Sequence, residues 1–278
     1  MRFDGFQPWM DRWGLAPDGA PFVNRYQGAV NSWLAPVRWR GEAAMLKIAG
    51  GEEERLGGAL MAWFAGHGAA RVLERDGPAI LLERAQGPRS LAAMAQGADD
   101  DEATRILCRT AALLHAPRPA APPETLVPLK VWFRALGPAA ERHGGVLTAA
   151  SNTAQALLAE PRDVRVLHGD LHHANVLDFG PQRGWLAIDP KGLLGERGFD
   201  YANIVCNPDI AIAAAPGVLA RRARIIAAEA GLEPERYLKW VLAYAGLSAS
   251  WTLGDGWDAT PALTMAELAA AELSLSWR

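Results

Sequence analysis

The sequence predicts an α+β fold in two unequal lobes: a small antiparallel β-lobe with one main helix, then a mostly helical lobe. Three observations carry this. Strand-like alternation and tight turns crowd the first 85 residues, apolar spacings of three and four dominate after Gly87, and a polar stretch sits between two short apolar runs in the second part. The expected division is residues 1–85 and 86–278.

Each element has its own signal. RYQGAVNSWLAPVRWRGEAAMLKIA alternates through WLAPVRW, turns at Arg40 and Gly41, and resumes in AAMLKI, which reads as a hairpin. GEEERLGGALMAWFAGHG puts Leu56, Leu60 and Phe64 at helical spacing behind three acids, which the positive end of a helix dipole favours. A second hairpin turns through Asp76 and Gly77 and ends at Glu83 to Ala85. Helices are then expected over 90–95, 100–115, 124–142 and 147–158. Two apolar runs, VRVLH and GWLAID, follow as strands bracketing the polar loop, and helices are expected again over 218–230, 234–251 and 261–273.

Composition narrows the function. With 28 basic and 31 acidic residues, no basic field is available to hold a nucleic-acid backbone or an anionic membrane. The start MRFDGFQPWMDRW has no apolar signal core and no apolar run nears the roughly 20 residues of a spanning helix, so a cytoplasmic location and no membrane partner are expected. Cys108 and Cys206 follow no ligand spacing and read as reduced structural thiols. A hydrophobic share of 50% fills a sizeable core, and the 11 tryptophans exceed what a core needs, as in pockets for flat or sugar-like ligands.

The polar stretch is VLHGDLHHANVLDFG, residues 166–180. Its three histidines admit a zinc cage and a metallohydrolase, a catalytic loop, or an ordinary polar loop. His168, Asp170 and Asn175 match the H-R-D-x-x-x-x-N catalytic loop of protein kinases, with Gly169 in place of the arginine. Phosphoryl transfer needs a carboxylate that orients and deprotonates the attacking hydroxyl, here Asp170, and an oxygen donor beside it for magnesium, here Asn175. Asp189 follows the next strand at the place of the kinase D-F-G aspartate, within Asp189-Pro190-Lys191, as a second magnesium ligand. Upstream, AAMLK resembles the V-A-I-K strand, making Lys47 the phosphate lysine; of Glu52, Glu53 and Glu54, Glu54 is the favoured partner. His168 is expected to pack within the loop. His172 and His173 read as polar loop positions, with acceptor contact as the other reading for both.

The runs LHGDLHHANVLD and WLAIDPKGLLGERGFDYANIVCNP, with SWLAPVR, AMLKIA, AILLERA and SASWTLGDG, resemble the aminoglycoside phosphotransferases, most closely the streptomycin 6-phosphotransferase and hydroxyurea phosphotransferase group. The resemblance covers most of the chain. It implies a two-lobed protein-kinase-like fold and transfer of phosphate from ATP, with Mg2+, to a hydroxyl of a small molecule. It also implies that Asp200 in FDYAN braces the catalytic loop and that the backbone around Glu83 and Ala85 holds adenine. No G-x-G-x-x-G precedes Lys47, so Gly28, Asn31 and Ser32 of YQGAVNSW stand in as phosphate-covering residues. The acceptor pocket is expected in the helical tail, from Trp251, Asp255, Trp257, Asp258 and Glu267, acids and aromatics that suit a guanidinium-bearing acceptor such as streptomycin. Hydroxyurea or a metabolic hydroxyl compound remains an alternative acceptor, and a non-catalytic kinase-shaped binding module is a further reading. A protein kinase is disfavoured because the gap from Asp189 to Asp200 leaves little room for an activation segment.

Overall fold

The computed structural model describes residues 3–26 and 29–275. A 3-10 turn (Phe3–Phe6) leads into α1 (Gln7–Trp13), β1 (Ala16–Pro17), β2 (Phe22–Tyr26), β3 (Ala29–Trp39), β4 (Glu42–Ala49), α2 (Glu52–Phe64), β5 (Val72–Asp76) and β6 (Ala79–Glu83). The strands form one antiparallel sheet in the order β1-β3-β4-β6-β5, with β2 also paired to β3. Both expected hairpins and the helix between them are present. Alternation divides the sheet. Leu34, Lys47 and Ile80 lie opposite one another, as do Met45 and Leu82, so these share one face. Ala35, Val37, Leu46 and Leu81 take the other face, which Phe6, Met10 and Leu15 cover in a small separate core. The α1 helix escaped the sequence reading because seven residues with a single buried Met10 show no period.

The helical part comprises α3 (Leu91–Gln96), α4 (Asp100–His115), β7 (Val127–Pro128), α5 (Leu129–Trp132), a 3-10 turn (Phe133–Ala135), α6 (Leu136–His143), α7 (Val146–Ala159), β8 (Val164–Leu167), β9 (Val176–Asp178), β10 (Trp185–Ala187), β11 (Leu193–Glu196), α8 (Gly198–Val205), α9 (Ile210–Ala213), α10 (Val218–Ala230), α11 (Pro234–Gly254) and α12 (Thr260–Leu275). The long α11 runs through the middle against α7, α8 and α12. Its Trp240 is 1% exposed, meets the rings of Phe133 and Phe199 edge-on, and donates its indole N–H to Glu196 at 2.8 Å. Such a partner offsets the cost of taking the indole N–H out of water.

Two expectations need correction. The single helix over 124–142 is broken, because Val127 and Pro128 pair in parallel with Leu193 and Leu194, and proline starts a helix but cannot sit inside one. The strands flanking the polar loop do not form one unit: β8 pairs with β11 and β10 with β9. The loop therefore bridges two small sheets, fixed from both sides. No described helix is long and apolar enough to cross a membrane.

Candidate active site

His168 follows β8 and is fully buried. Its Nδ1 accepts the Asp170 N–H at 3.2 Å and its Nε2 lies 2.8 Å from the Ile188 carbonyl, an arrangement that places the ring proton on Nε2. Burial holds its pKa below the usual imidazole value, so the ring is a neutral strut tying the loop to the segment before Asp189. Gly169 has φ +85°, and a Cβ there would sit 2.8 Å from the Leu193 side chain, which excludes the arginine of the kinase pattern. Asp200, 1% exposed on α8, accepts the His168 N–H at 2.8 Å and the Gly169 N–H at 2.7 Å, and meets His115 Nε2 at 2.8 Å.

Asp170 stands at the front of this frame. Its Oδ2 accepts from Asn175 Nδ2 at 3.2 Å and its Oδ1 from Asn203 Nδ2 at 3.0 Å. Burial pushes its carboxyl up, but the His172 side chain beside it and the Lys191 ammonium outweigh that and hold it below the usual carboxylate range. It is thus ionised and able to accept a proton only from a group whose pKa falls as it reacts. Asn175 also donates to the Asp170 carbonyl at 2.9 Å, which turns its amide oxygen away from the aspartate, and its carbonyl accepts the Ile188 N–H at 2.9 Å. That bond sets Asn175 beside Asp189. Asp189 has φ +60°, a strained conformation for a non-glycine residue and one that recurs where function dictates the backbone.

Lys47, 6% exposed, pairs with both Glu54 of α2 and Asp189. Of the three consecutive glutamates, Glu54 pairs with Lys47 and, at 3.3 Å, with Lys191, Glu53 pairs with Lys191 at 2.9 Å, and Glu52 pairs with Arg55 at 2.5 Å. Burial pulls Lys191 down, but Glu53, Glu54 and Asp170 outweigh it and keep the ammonium charged. One turn beyond Glu54, a Cβ on Gly57 would come within 2.2 Å of the Pro190 carbonyl oxygen, so α2 rests directly on the segment that carries Asp189. Gly57→Ala should improve helix propensity by about 1 kcal/mol. The backbone clash should prise α2 from Pro190 all the same, and we expect kcat to fall at least about tenfold, since an ångström of misplacement is that costly. Steady-state kinetics alongside a melting curve check this; unchanged kcat would show that the contact is incidental.

The other expected residues fall into three groups. Ser32 shares the sheet face of Lys47, and its hydroxyl is buried with no hydrogen-bond partner among the described residues. Asn31 lines the cavity described below, and Gly28 lies outside the described residues. At the end of β6 the Glu83 and Arg84 N–H groups are taken by Arg71 (3.0 Å) and Ala43 (3.3 Å), and the Glu83 carboxylate by Arg71 and Arg183. Ala85 is the position of the three that lies past both bonds.

A cavity of about 1070 Å³ opens on Asp170. Trp251, Asp255, Asp258 and His172 line it, with Glu53, Asp209, Trp132, Arg134, Lys191 and Tyr244. Glu267 does not: it is exposed on α12 away from the lining, and Trp257, 52% exposed, is likewise outside it. The zinc reading fails on geometry. His172 Nδ1 accepts the Ala174 N–H at 3.2 Å, His168 is bonded at both nitrogens, and His173 is buried elsewhere, its pKa pushed down to about 3 by burial and the Arg222 charge. Among the described residues no three His, Cys, Asp or Glu side chains are grouped to hold a metal. The sequence reading missed Asn203, Tyr244 and Lys191. One signal was present: Asp200 and Asn203 are one turn apart in the otherwise apolar helix GFDYANIV, which aims both at the same neighbour.

This constellation belongs to phosphoryl transfer, and a family comparison agrees. Residues 12–256 match the model of the aminoglycoside/hydroxyurea antibiotic resistance kinases. The chain belongs to that family. As a member of the aminoglycoside/hydroxyurea resistance kinases it is a small-molecule phosphotransferase. A streptomycin 3''-kinase of Klebsiella pneumoniae is 52% identical over 252 residues, 89% of this chain and 92% of that protein. A streptomycin 6-kinase of Streptomyces glaucescens is 32% identical over 269 residues, 89% of this chain and 81% of that one. The fold also matches a thermostable mutant of aminoglycoside phosphotransferase APH(4)-Ia in complex with ADP and hygromycin B, with TM-score 0.59 and 13% identity over 97% of this chain and 96% of that one. The kinase-like, two-lobed architecture expected of this resistance-kinase family is therefore the one observed.

Proposed function

We propose that the chain transfers the γ-phosphoryl group of ATP to a hydroxyl of streptomycin, at the 3'' position. The observation that carries this is the cavity in front of Asp170. At about 1070 Å³ it exceeds what a urea-sized acceptor fills, and its wall sets the acids Glu53, Asp209, Asp255 and Asp258 beside Trp132, Trp251 and Tyr244. Acids facing aromatic rings suit a guanidinium cation through charge-assisted hydrogen bonds and stacking. Similarity to the streptomycin 3''-kinase supports the position.

In this reading residues 1–85 form the nucleotide-binding lobe and 86–278 the lobe that carries the base and the acceptor. Asp170 orients the acceptor hydroxyl and receives its proton, and Lys47, held by Glu54, directs its ammonium at the phosphates. Ser32, whose buried hydroxyl has no partner among the described residues, and the backbone at Ala85 serve the nucleotide. Asn175 and Asp189 would hold magnesium: two neighbouring oxygen donors are the usual protein share for an ion that keeps waters and phosphates as its other ligands. When bound, that ion neutralises phosphate charge. Lys191, pinned by Glu53 and Glu54, keeps a positive charge at the cavity floor near Asp170.

The test is steady-state kinetics on streptomycin and hydroxyurea, with the phosphorylated position mapped by NMR. Streptomycin should be turned over at the 3'' hydroxyl, and Asp255→Asn and Asp258→Asn should each raise its KM by about tenfold, the loss of one charge-assisted contact. Glu267→Gln, outside the cavity, should leave KM unchanged. Turnover of hydroxyurea alone would overturn the streptomycin reading.

A further inference from the structure

Asp170 is held from two sides, and the two are not equivalent. Asn175 belongs to the same loop and moves with it. Asn203 belongs to α8, is 3% exposed, and donates from Nδ2 to Asp170 Oδ1 at 3.0 Å. What fixes Asn203 is visible in turn. Its side-chain oxygen accepts the Tyr244 hydroxyl at 2.6 Å and Asn207 Nδ2 at 2.8 Å, and Asn207 Nδ2 also donates to the Asn203 carbonyl at 3.0 Å. An amide oxygen has two lone pairs, and both are used. A flipped Asn203 would face its NH2 to the Asn207 NH2, which the Asn203 carbonyl also holds, and its oxygen to a carboxylate. Only one amide orientation satisfies all three neighbours, and it is the one that points a donor at Asp170.

We propose that Asn203 is a positioning residue for the phosphotransfer base, with its orientation locked by Tyr244 and Asn207. The inference rests on the reading of Asp170 as the base. Asn203 gives the catalytic loop a reference point on a buried helix, independent of the loop's own hydrogen bonds, and so fixes the plane of the Asp170 carboxylate toward the acceptor hydroxyl. Because it acts through Asp170, its loss should appear in kcat with little change in either KM.

Replacement by aspartate separates this role from simple packing. Asn203→Asp keeps the volume and the two bonds accepted at Oδ1, but sets a carboxyl oxygen where a donor faced Asp170; the two carboxyls either repel or share the proton that Asp170 must be free to accept, and the base is impaired both ways. A residue that only filled space would tolerate Asn203→Asp better than Asn203→Ala. The proposal requires the reverse. With streptomycin and ATP, kcat should fall about tenfold in Asn203→Ala and about a hundredfold in Asn203→Asp, the scale of a misplaced catalytic group, with both KM values within about twofold of wild type. Tyr244→Phe, which releases one lock, should lower kcat about threefold alone and not at all in the Asn203→Ala background, since coupled residues are not additive. If Asn203→Asp does not fold, that double-mutant cycle still decides. The proposal is overturned if Asn203→Asp matches or exceeds Asn203→Ala, if KM rather than kcat changes, or if the Tyr244 and Asn203 effects multiply. Asp170→Asn, assayed in parallel, distinguishes the two levels. Its retention of full activity would remove the base assignment and the inference with it, whereas its inactivity beside an active Asn203→Asp would remove the inference alone.

Discussion

Asp170→Asn should lower kcat by about a hundredfold or more, within the range lost when a general base is removed, while ATP affinity stays near that of the wild type. Two features set this expectation. The carboxylate is the one acidic group of the H-G-D-L-H-H-A-N stretch, and the cavity opens directly on it. Both of its oxygens accept from side-chain amides, Asn203 at 3.0 Å and Asn175 at 3.2 Å. An amide at 170 therefore loses the proton acceptor and must also turn its NH2 toward one of those donors. Binding of ATP, measured by isothermal calorimetry, should be spared, because Lys47 and Asp189 are untouched. Wild-type turnover in this variant would remove Asp170 from the chemistry.

Asp189→Ala should abolish magnesium-dependent turnover, an effect at least as large. On the proposed reading the substitution removes the charged member of the pair Asn175 and Asp189, and it also removes one of the two carboxylates around Lys47. Asn175, neutral, cannot offset the phosphates' need for a tightly held cation. Activity measured across a magnesium titration checks this. Turnover at low magnesium equal to wild type would make Asp189 a structural residue, retained for its pairing with Lys47.

Lys47, Asp170, Asn175 and Asp189 could be picked out of the sequence by residue type and spacing, with short flanking strands marking where they emerge, and the structure brings Lys47 to Asp189 and Asn175 to Asp170. Glu54 was one choice of three because consecutive helical positions differ by about 100°, and a run of three acids does not by itself say which one faces Lys47. The buried stripe Gly57, Leu60, Met61 and Phe64 identifies the face in retrospect, since Glu54 sits one turn before Gly57 on it. Asn203 left only the faint signal of its spacing from Asp200, and Asn207 and Tyr244 left none. Asn203 reaches Asp170 from α8, Asn207 and Tyr244 reach Asn203 from the turn after it and from α11, and nothing local in the sequence says that these segments meet. Glu267 was misplaced for a related reason: α12 presents Met265, Ala266 and Ala269 to the core, and Glu267 falls on the opposite side. The broken helix over 124–142 follows from a parallel pairing with a strand some 65 residues later, which helical periodicity does not register.

The Asp200 carboxylate that accepts two successive N–H groups of the loop has a consequence for timing. Ordering a residue's backbone costs about 1–2 kcal/mol in entropy, and a loop that arranges itself only when substrate arrives draws that from binding. Here His168 and Gly169 are already fastened to a carboxylate on a buried helix, and Asp170 follows them directly in the chain. The ordering is complete when the protein folds. Acceptor and nucleotide therefore meet a rigid template, and their binding energy is left for aligning the two substrates with each other.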